Sequence, residues 1–182
     1  MRDVVLDLET LGNNSNAVII AIGAIKFDPK LKQIGDKFYS RVDPQSCLNA
    51  GLEVTGDTIM WWLQQSDAAR NEFKGFMPML DVALKGFTAW MNKFPADVGE
   101  HRVWGNGATF DNVILSNAYK VANLPRPWSY KKDRCYRTLR CLYPDVPLPV
   151  RPTNFVAHRA DHDAEYQAYH LMAIWPKLRQ PA

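Results

Sequence analysis

Apolar and polar positions along this chain change period several times. Residues 4–9 (Val-Val-Leu-Asp-Leu-Glu) form a short apolar run that ends in acids and predicts a buried strand. Residues 18–27 are rich in Ile and Val and stop at Asp28-Pro29, a turn signal, so they read as a second strand. Residues 37–42 alternate and supply a third. The short connections predict an antiparallel meander.

The period then lengthens. Asp57 or Thr58 can cap a helix through Ile59, Met60, Trp61, Trp62 and Leu63. In that helix Trp62 groups with Ile59 and Leu63 on the apolar stripe. Residues 79–93 carry Leu80, Ala83, Leu84, Phe87 and Trp90 or Met91 at helical spacing. Residues 101–104 form a short strand that breaks at Gly105-Asn106-Gly107, and a helix follows over residues 110–122. Residues 134–139 offer a fifth strand. Residues 143–152 hold Pro144, Pro147, Pro149 and Pro152 and are irregular. A last helix over residues 161–177 puts Ala164, Ala168, Leu171, Met172 and Trp175 on one stripe, with Asp161 as its N-cap. These elements predict an α/β fold: a mixed five-stranded sheet, three antiparallel strands and then two parallel, flanked by helices. That order is compatible with a ribonuclease-H-like arrangement in a single domain over residues 1–182.

Composition narrows the class. A length of 182 residues suits one domain, and 47% hydrophobic with 23% charged residues is ordinary for a soluble globular protein. The net charge of +3 says little, but its distribution says more. Residues 126–160 hold eight Lys or Arg against two acids. A basic segment of that kind suits a polyanionic partner as well as it suits plain solvation. Cys47, Cys135 and Cys141 are odd in number and lack metal-finger spacing, which fits a reducing cytoplasm. No signal peptide and no membrane-spanning stretch is legible.

The informative residues are acids in apolar company. Side chains alternate along a strand, so Asp7 and Glu9 share a face, roughly 7 Å apart. A solvated strand end would also carry two such acids. Asp111 falls on the same helical side as Ile114, Leu115 and Ala118, although an acid in a first helical turn is also favoured by the helix dipole. Asp163 opens the last helix one residue before its apolar stripe, and His158 lies in the loop before it. Two acids on a strand face and one at each of two helix starts can converge on one point. Four carboxylates there would repel strongly without cations. Hard ions such as Mg²⁺ or Mn²⁺ prefer an all-oxygen environment, and no Cys or His is placed to complete a zinc site.

Asp7-Leu8-Glu9-Thr10, Phe110-Asp111, and His158 with Asp163 resemble, in the right order, the three exonuclease motifs of the DEDDh (DnaQ-like) superfamily. Asp7 through Gly12, Thr58 through Trp62, and Trp104 through Asn112 are similar to the branch that includes RNase AS and the dexA-type phage exonucleases. Two positions depart from the pattern. Gly107, not Asn106, stands four residues before Asp111, and Cys135 stands where this branch has an acid.

The resemblance implies a 3′→5′ exonuclease acting on the 3′ end of single-stranded DNA or RNA. It also implies two divalent cations, Mg²⁺ or Mn²⁺, held by Asp7, Glu9, Asp111 and Asp163, with His158 as general base. An imidazole titrates near neutral pH and suits that task. Thr10 and Leu11 are the expected contacts of the terminal sugar and base. Trp61 and Phe110 are candidate stacking surfaces, core packing being an equal reading of Phe110, and Asn106 is a further candidate contact. Arg134 and Arg137 are either phosphate contacts or plain surface arginines. DNA is slightly favoured, an RNase AS type exoribonuclease is the alternative, and an inactive nucleic-acid-binding module is a minor one. Similar proteins also make a homodimer an expectation.

Overall fold

The computed structural model describes residues 1–93 and 98–179. Five strands form one sheet: β1 (Asp3–Thr10), β2 (Ile19–Asp28), β3 (Gln33–Arg41), β4 (Arg102–Gly105) and β5 (Asp133–Cys135). Their order is β3-β2-β1-β4-β5. The first three pair antiparallel, and β1–β4 and β4–β5 pair parallel, which is the expected mixed sheet.

The helices are α1 (Pro44–Asn49), α2 (Gly56–Leu63), α3 (Asp67–Arg70), α4 (Leu80–Met91), α5 (Val113–Val121), α6 (Tyr136–Leu142) and α7 (Ala160–Ile174). Alternation along β1 sends its side chains into two separate cores. Val4, Leu6 and Leu8 pack with Leu84 and Phe87 of α4 and Ile114 and Leu115 of α5. Val5 packs on the opposite face with Ala164, Ala168 and Leu171 of α7. Each of the larger aliphatic side chains, removed from water, contributes about 1.5–3 kcal/mol. The central strand is thereby fixed from both sides.

Several expectations need correction. The fifth strand is only three residues long, and the rest of that segment is α6. Tyr136 and Leu139, three residues apart, both pack on the α7 side of the sheet, a helical spacing that alternation could not satisfy. Asp161 does not cap α7. Arg159 is the N-cap residue, and the Asp161 carboxylate accepts from Arg159 Nε at 2.7 Å. Thr55, not Asp57 or Thr58, precedes α2. On α2 only Trp62 is buried, while Ile59 and Leu63 are exposed. The short helices α1 and α3 carry no readable apolar period; their marks are the side-chain caps Asp43 and Ser66. Among the described residues no helix is long and apolar enough to cross a membrane.

Candidate active site

Two glycines let distant segments meet at the end of β1. Gly23 on β2 pairs with Asp7 across the ladder. A Cβ there would stand 2.1 Å from the Ala160 carbonyl carbon and 2.2 Å from the Asp161 nitrogen. The missing side chain therefore lets the first turn of α7 rest directly on the sheet. That contact carries Asp163 to the face where Asp7 and Glu9 point. The β1–β2 register shifts just past Glu9, the kind of irregularity that re-aims side chains beside active sites.

Gly105 plays the same part for Asp111. A Cβ on it would lie 2.2 Å from Asn112 Oδ1 and 3.0 Å from Asp111 Cβ. A π-helical turn, Ala108–Asn112, presses against the strand end at this point. Asn112 Nδ2 fixes the turn by donating to the Val103 carbonyl (3.0 Å) and to Asp133 Oδ1 (2.9 Å). The Asp111 carboxylate accepts from the backbone N–H of Leu8 (3.3 Å) and of Gly107 (3.2 Å).

Asp7, Glu9 and Asp111 are each at most 9% exposed. Burial pushes Glu9 up to about 9, with the charges of Asp163, Glu72 and Asp111 adding to the rise. Asp7 is raised well above the ordinary carboxylate range by burial and then by Asp111, Glu9 and Asp163. Burial lifts Asp111 to about 6, and its backbone N–H donors limit the rise. Gln167 of α7 donates from Nε2 to Asp7 Oδ1 at 2.7 Å.

His158 already stands beside these acids. Its backbone N–H donates to Asp163 Oδ2 at 2.8 Å, and its φ of 60° places it in the left-handed region, unusual for a residue with a side chain. Its ring meets Trp61 edge-to-face with centroids 4.9 Å apart, and Trp62 at 6.3 Å.

The five expected catalytic residues line one cleft of about 410 Å³, and Asn106 and Phe110 line it too. Three expected substrate contacts are placed elsewhere. Leu11 lines a separate apolar pocket of about 550 Å³ with Ile59, Trp62, Leu63 and Phe73. The Thr10 hydroxyl donates to the Gly12 carbonyl (2.7 Å), and the Thr10 carbonyl accepts from Trp62 Nε1 (2.8 Å). Trp61 packs on His158. Arg137 lines the cleft, whereas Arg134 donates to the carbonyls of Lys131 and Asp133.

Sequence reasoning missed Gln167 and Arg151. Gln167 was legible in principle, because it lies four residues after Asp163 and interrupts the apolar stripe of α7. Arg151 comes from the proline-rich segment, where no periodicity marks it. Its Nη1 lies 2.8 Å from Asp163 Oδ1, an ion pair without the alignment of a hydrogen bond.

The donor set suits a divalent cation. One ligand atom from each of Glu9, His158 and Asp163 lies within 4.8 Å of the others. Asp163 Oδ1 is buried and receives no hydrogen bond. Buried carboxylate oxygens without donors are what a hard cation satisfies.

A sheet of this order, with acids presented at the end of its central strand, defines the ribonuclease-H-like fold of the DEDDh exonucleases. The chain belongs to the family described as the Rv2179c-like 3′-5′ exoribonuclease domain, which matches residues 2–175. An exodeoxyribonuclease of Enterobacteria phage T4 is 30% identical over 125 residues. That match spans 63% of this chain and 54% of the phage protein, about half the length of the curated relative. Among solved structures, the nuclease domain of 3′hExo, a DEDDh family member bound to rAMP, superposes with a TM-score of 0.63 at 14% identity, over 96% of this chain and 92% of that one. The zinc-bound E. coli ExoI–ssDNA complex superposes with a TM-score of 0.65 at 17% identity, over 98% of this chain and 41% of that one.

Proposed function

We propose that this chain is a divalent-cation-dependent 3′→5′ exonuclease that shortens single-stranded nucleic acid and releases nucleoside 5′-monophosphates. The observation that carries this reading is the convergence of four carboxylates and one imidazole in a single cleft. Asp7, Glu9 and Asp163 would hold one Mg²⁺ or Mn²⁺ ion, and Asp7 and Asp111 a second. Such a pair acidifies a bound water and offsets the charge that develops on the phosphate.

The chain's own groups supply the rest. His158 takes the proton of the attacking water at a ring nitrogen, while Trp61 and Trp62 hold the ring. The new bond joins the water oxygen to phosphorus. The bond that breaks joins phosphorus to the 3′-oxygen of the penultimate nucleotide, which leaves as a hydroxyl. Asn106 and Phe110 wall the space for the terminal nucleotide, and Trp61 reaches it through the His158 ring.

DNA is the first substrate reading, favoured by the identity with a phage exodeoxyribonuclease. RNA is the second, favoured by the family description, which covers more of the chain. The homodimer belongs to the same proposal, and light scattering on the purified chain reads it directly.

The test uses 5′-labelled oligo-dA and oligo-rA of matched length with Mg²⁺ or Mn²⁺. A ladder shrinking from the 3′ end, abolished by EDTA and by Asp163→Asn, is expected. Full turnover in EDTA, or cutting of an end-blocked strand, overturns the proposal. The faster of the two polymers identifies the substrate.

A further inference from the structure

A second groove adjoins the cleft. Its volume is about 530 Å³, and it shares Arg137, Arg140 and Leu148 with the catalytic cleft. Beyond these it is lined by Pro144, Val146 and Pro147 of the proline-rich segment. The size is within the range of about 300–1,000 Å³ common for small-molecule subsites.

The groove is built on fixed elements. Tyr136 on α6 bonds its hydroxyl to His170 Nδ1 on α7 at 2.7 Å, and His170 Nε2 donates to the Val146 carbonyl at 3.1 Å. Tyr166 of α7 donates to the Pro149 carbonyl at 3.0 Å. The irregular segment is thus pinned to the helix at two carbonyls.

The two arginines differ from five others in this chain. Arg70, Arg102, Arg126, Arg151 and Arg159 each pair with an acid. Arg137 and Arg140 lie three residues apart on α6, so they sit on adjacent turns of one side. Both are exposed, and among the described residues neither guanidinium has an ion pair or a hydrogen bond. They stand where the two cavities join, opposite an apolar wall of Val146, Pro147 and Leu148.

We infer that this groove receives the nucleotide next to the scissile bond on the retained side of a single strand. Arg137 and Arg140 bind the 5′-phosphate of that nucleotide, the first backbone phosphate beyond the scissile one, and the proline-rich wall packs against its base. Three features carry the assignment: continuity with the cleft, two unpaired guanidinium groups at the junction, and apolar surface beside them. A guanidinium is suited to a phosphate by its fork of donors. An apolar wall without directed polar groups takes any base, so the groove reads strand length and not sequence. This inference rests on the exonuclease reading of the adjoining cleft.

The test compares Arg137→Ala, Arg140→Ala and the double variant with the unchanged protein on two substrates. One is a hexanucleotide. The other is the p-nitrophenyl ester of thymidine 5′-monophosphate, which has no second nucleotide. The ratio of kcat/KM for the hexanucleotide to that for the ester is expected to fall about 10- to 100-fold in the double variant, the scale of removing a hydrogen bond to a charged group. The slope of log kcat/KM against log salt is expected to flatten by about 0.7 for each phosphate that is no longer neutralised, and lysine replacements are expected to restore much of that slope. Equal losses on both substrates, or an unchanged slope, overturn the inference.

Anisotropy of a 5′-fluorescein hexanucleotide in EDTA supplies a readout independent of turnover. Weaker binding by the double variant supports the groove even if neither substrate is cleaved, an outcome that would sink the exonuclease reading alone. Equal binding by both proteins overturns the groove.

Discussion

Gly23 faces Asp7 across the β1–β2 ladder, and the volume that its missing side chain leaves free is filled by the backbone of Ala160. A backbone cannot rotate out of the way as a side chain can. Gly23→Ala is therefore expected to lift the start of α7 from the sheet and to destabilise the fold by about 1–3 kcal/mol, the usual scale of overpacking. Because Asp163 travels with that helix, Mn²⁺ affinity falls more than stability does. Thermal melts paired with calorimetric Mn²⁺ titration check both, and a variant that keeps full Mn²⁺ affinity would contradict this account.

Gln167 is a positioning residue for Asp7. Gln167→Ala should leave the fold intact, since its neighbours Ala164, Ala168 and Leu171 still fill the core. It should weaken Mn²⁺ binding or activity by about 10- to 100-fold, as removal of a hydrogen bond to a metal-ligating carboxylate generally does. Circular dichroism with Mn²⁺ titration separates this outcome from simple unfolding.

The raised acids make the metal-free chain sensitive to pH. Glu9 rises from 4.5 to about 9, Asp111 reaches about 6, and Asp7 is raised as well. The folded state thus holds these protons more tightly than the unfolded state. Their contribution to stability is complete below the ordinary carboxylate range and is lost as pH climbs toward the folded values. In EDTA, Tm is expected to fall between about pH 5 and about pH 9 more steeply for the unchanged protein than for Glu9→Gln, which has no proton to lose there. Mn²⁺ is expected to raise Tm more at pH 8 than at pH 5, because the ion competes with fewer protons. A Tm gain independent of pH would count against a cation bound by these carboxylates.

Trp61 was expected from sequence to stack on a base, yet its ring meets His158 edge-to-face. An aromatic pair of this kind contributes about 0.5–1.5 kcal/mol. Trp61→Ala is expected to lower kcat by about 2- to 10-fold, with a smaller change in KM. A raised KM with unchanged kcat would instead assign Trp61 to the substrate. His158→Ala should lower kcat by about 10²- to 10⁴-fold, the range for loss of a general base.

The sheet was readable because burial imposes two simple rules on strands. β1 buries both faces, so its apolar run is unbroken until Asp7, and β2 shows the β-branched run of an interior strand. The acids were legible for the same reason, as exceptions to an apolar pattern. The fifth strand was overextended because the six residues from Arg134 to Leu139 are too few to show a period, and Tyr136 and Leu139, three apart, answer to α7 and not to a strand neighbour. Arg151 was invisible because an irregular segment has no period against which a residue can stand out. The two docking glycines could not be assigned from one sequence, since what a glycine leaves room for lies far along the chain.

The Gln167–Asp7 hydrogen bond joins residues 160 positions apart. A ribosome that has made the first strand and even the whole sheet has still made no nuclease, because the final helix brings two of the partners. A chain cut short before residue 160 is therefore expected to hold the strands without the assembled carboxylate cluster.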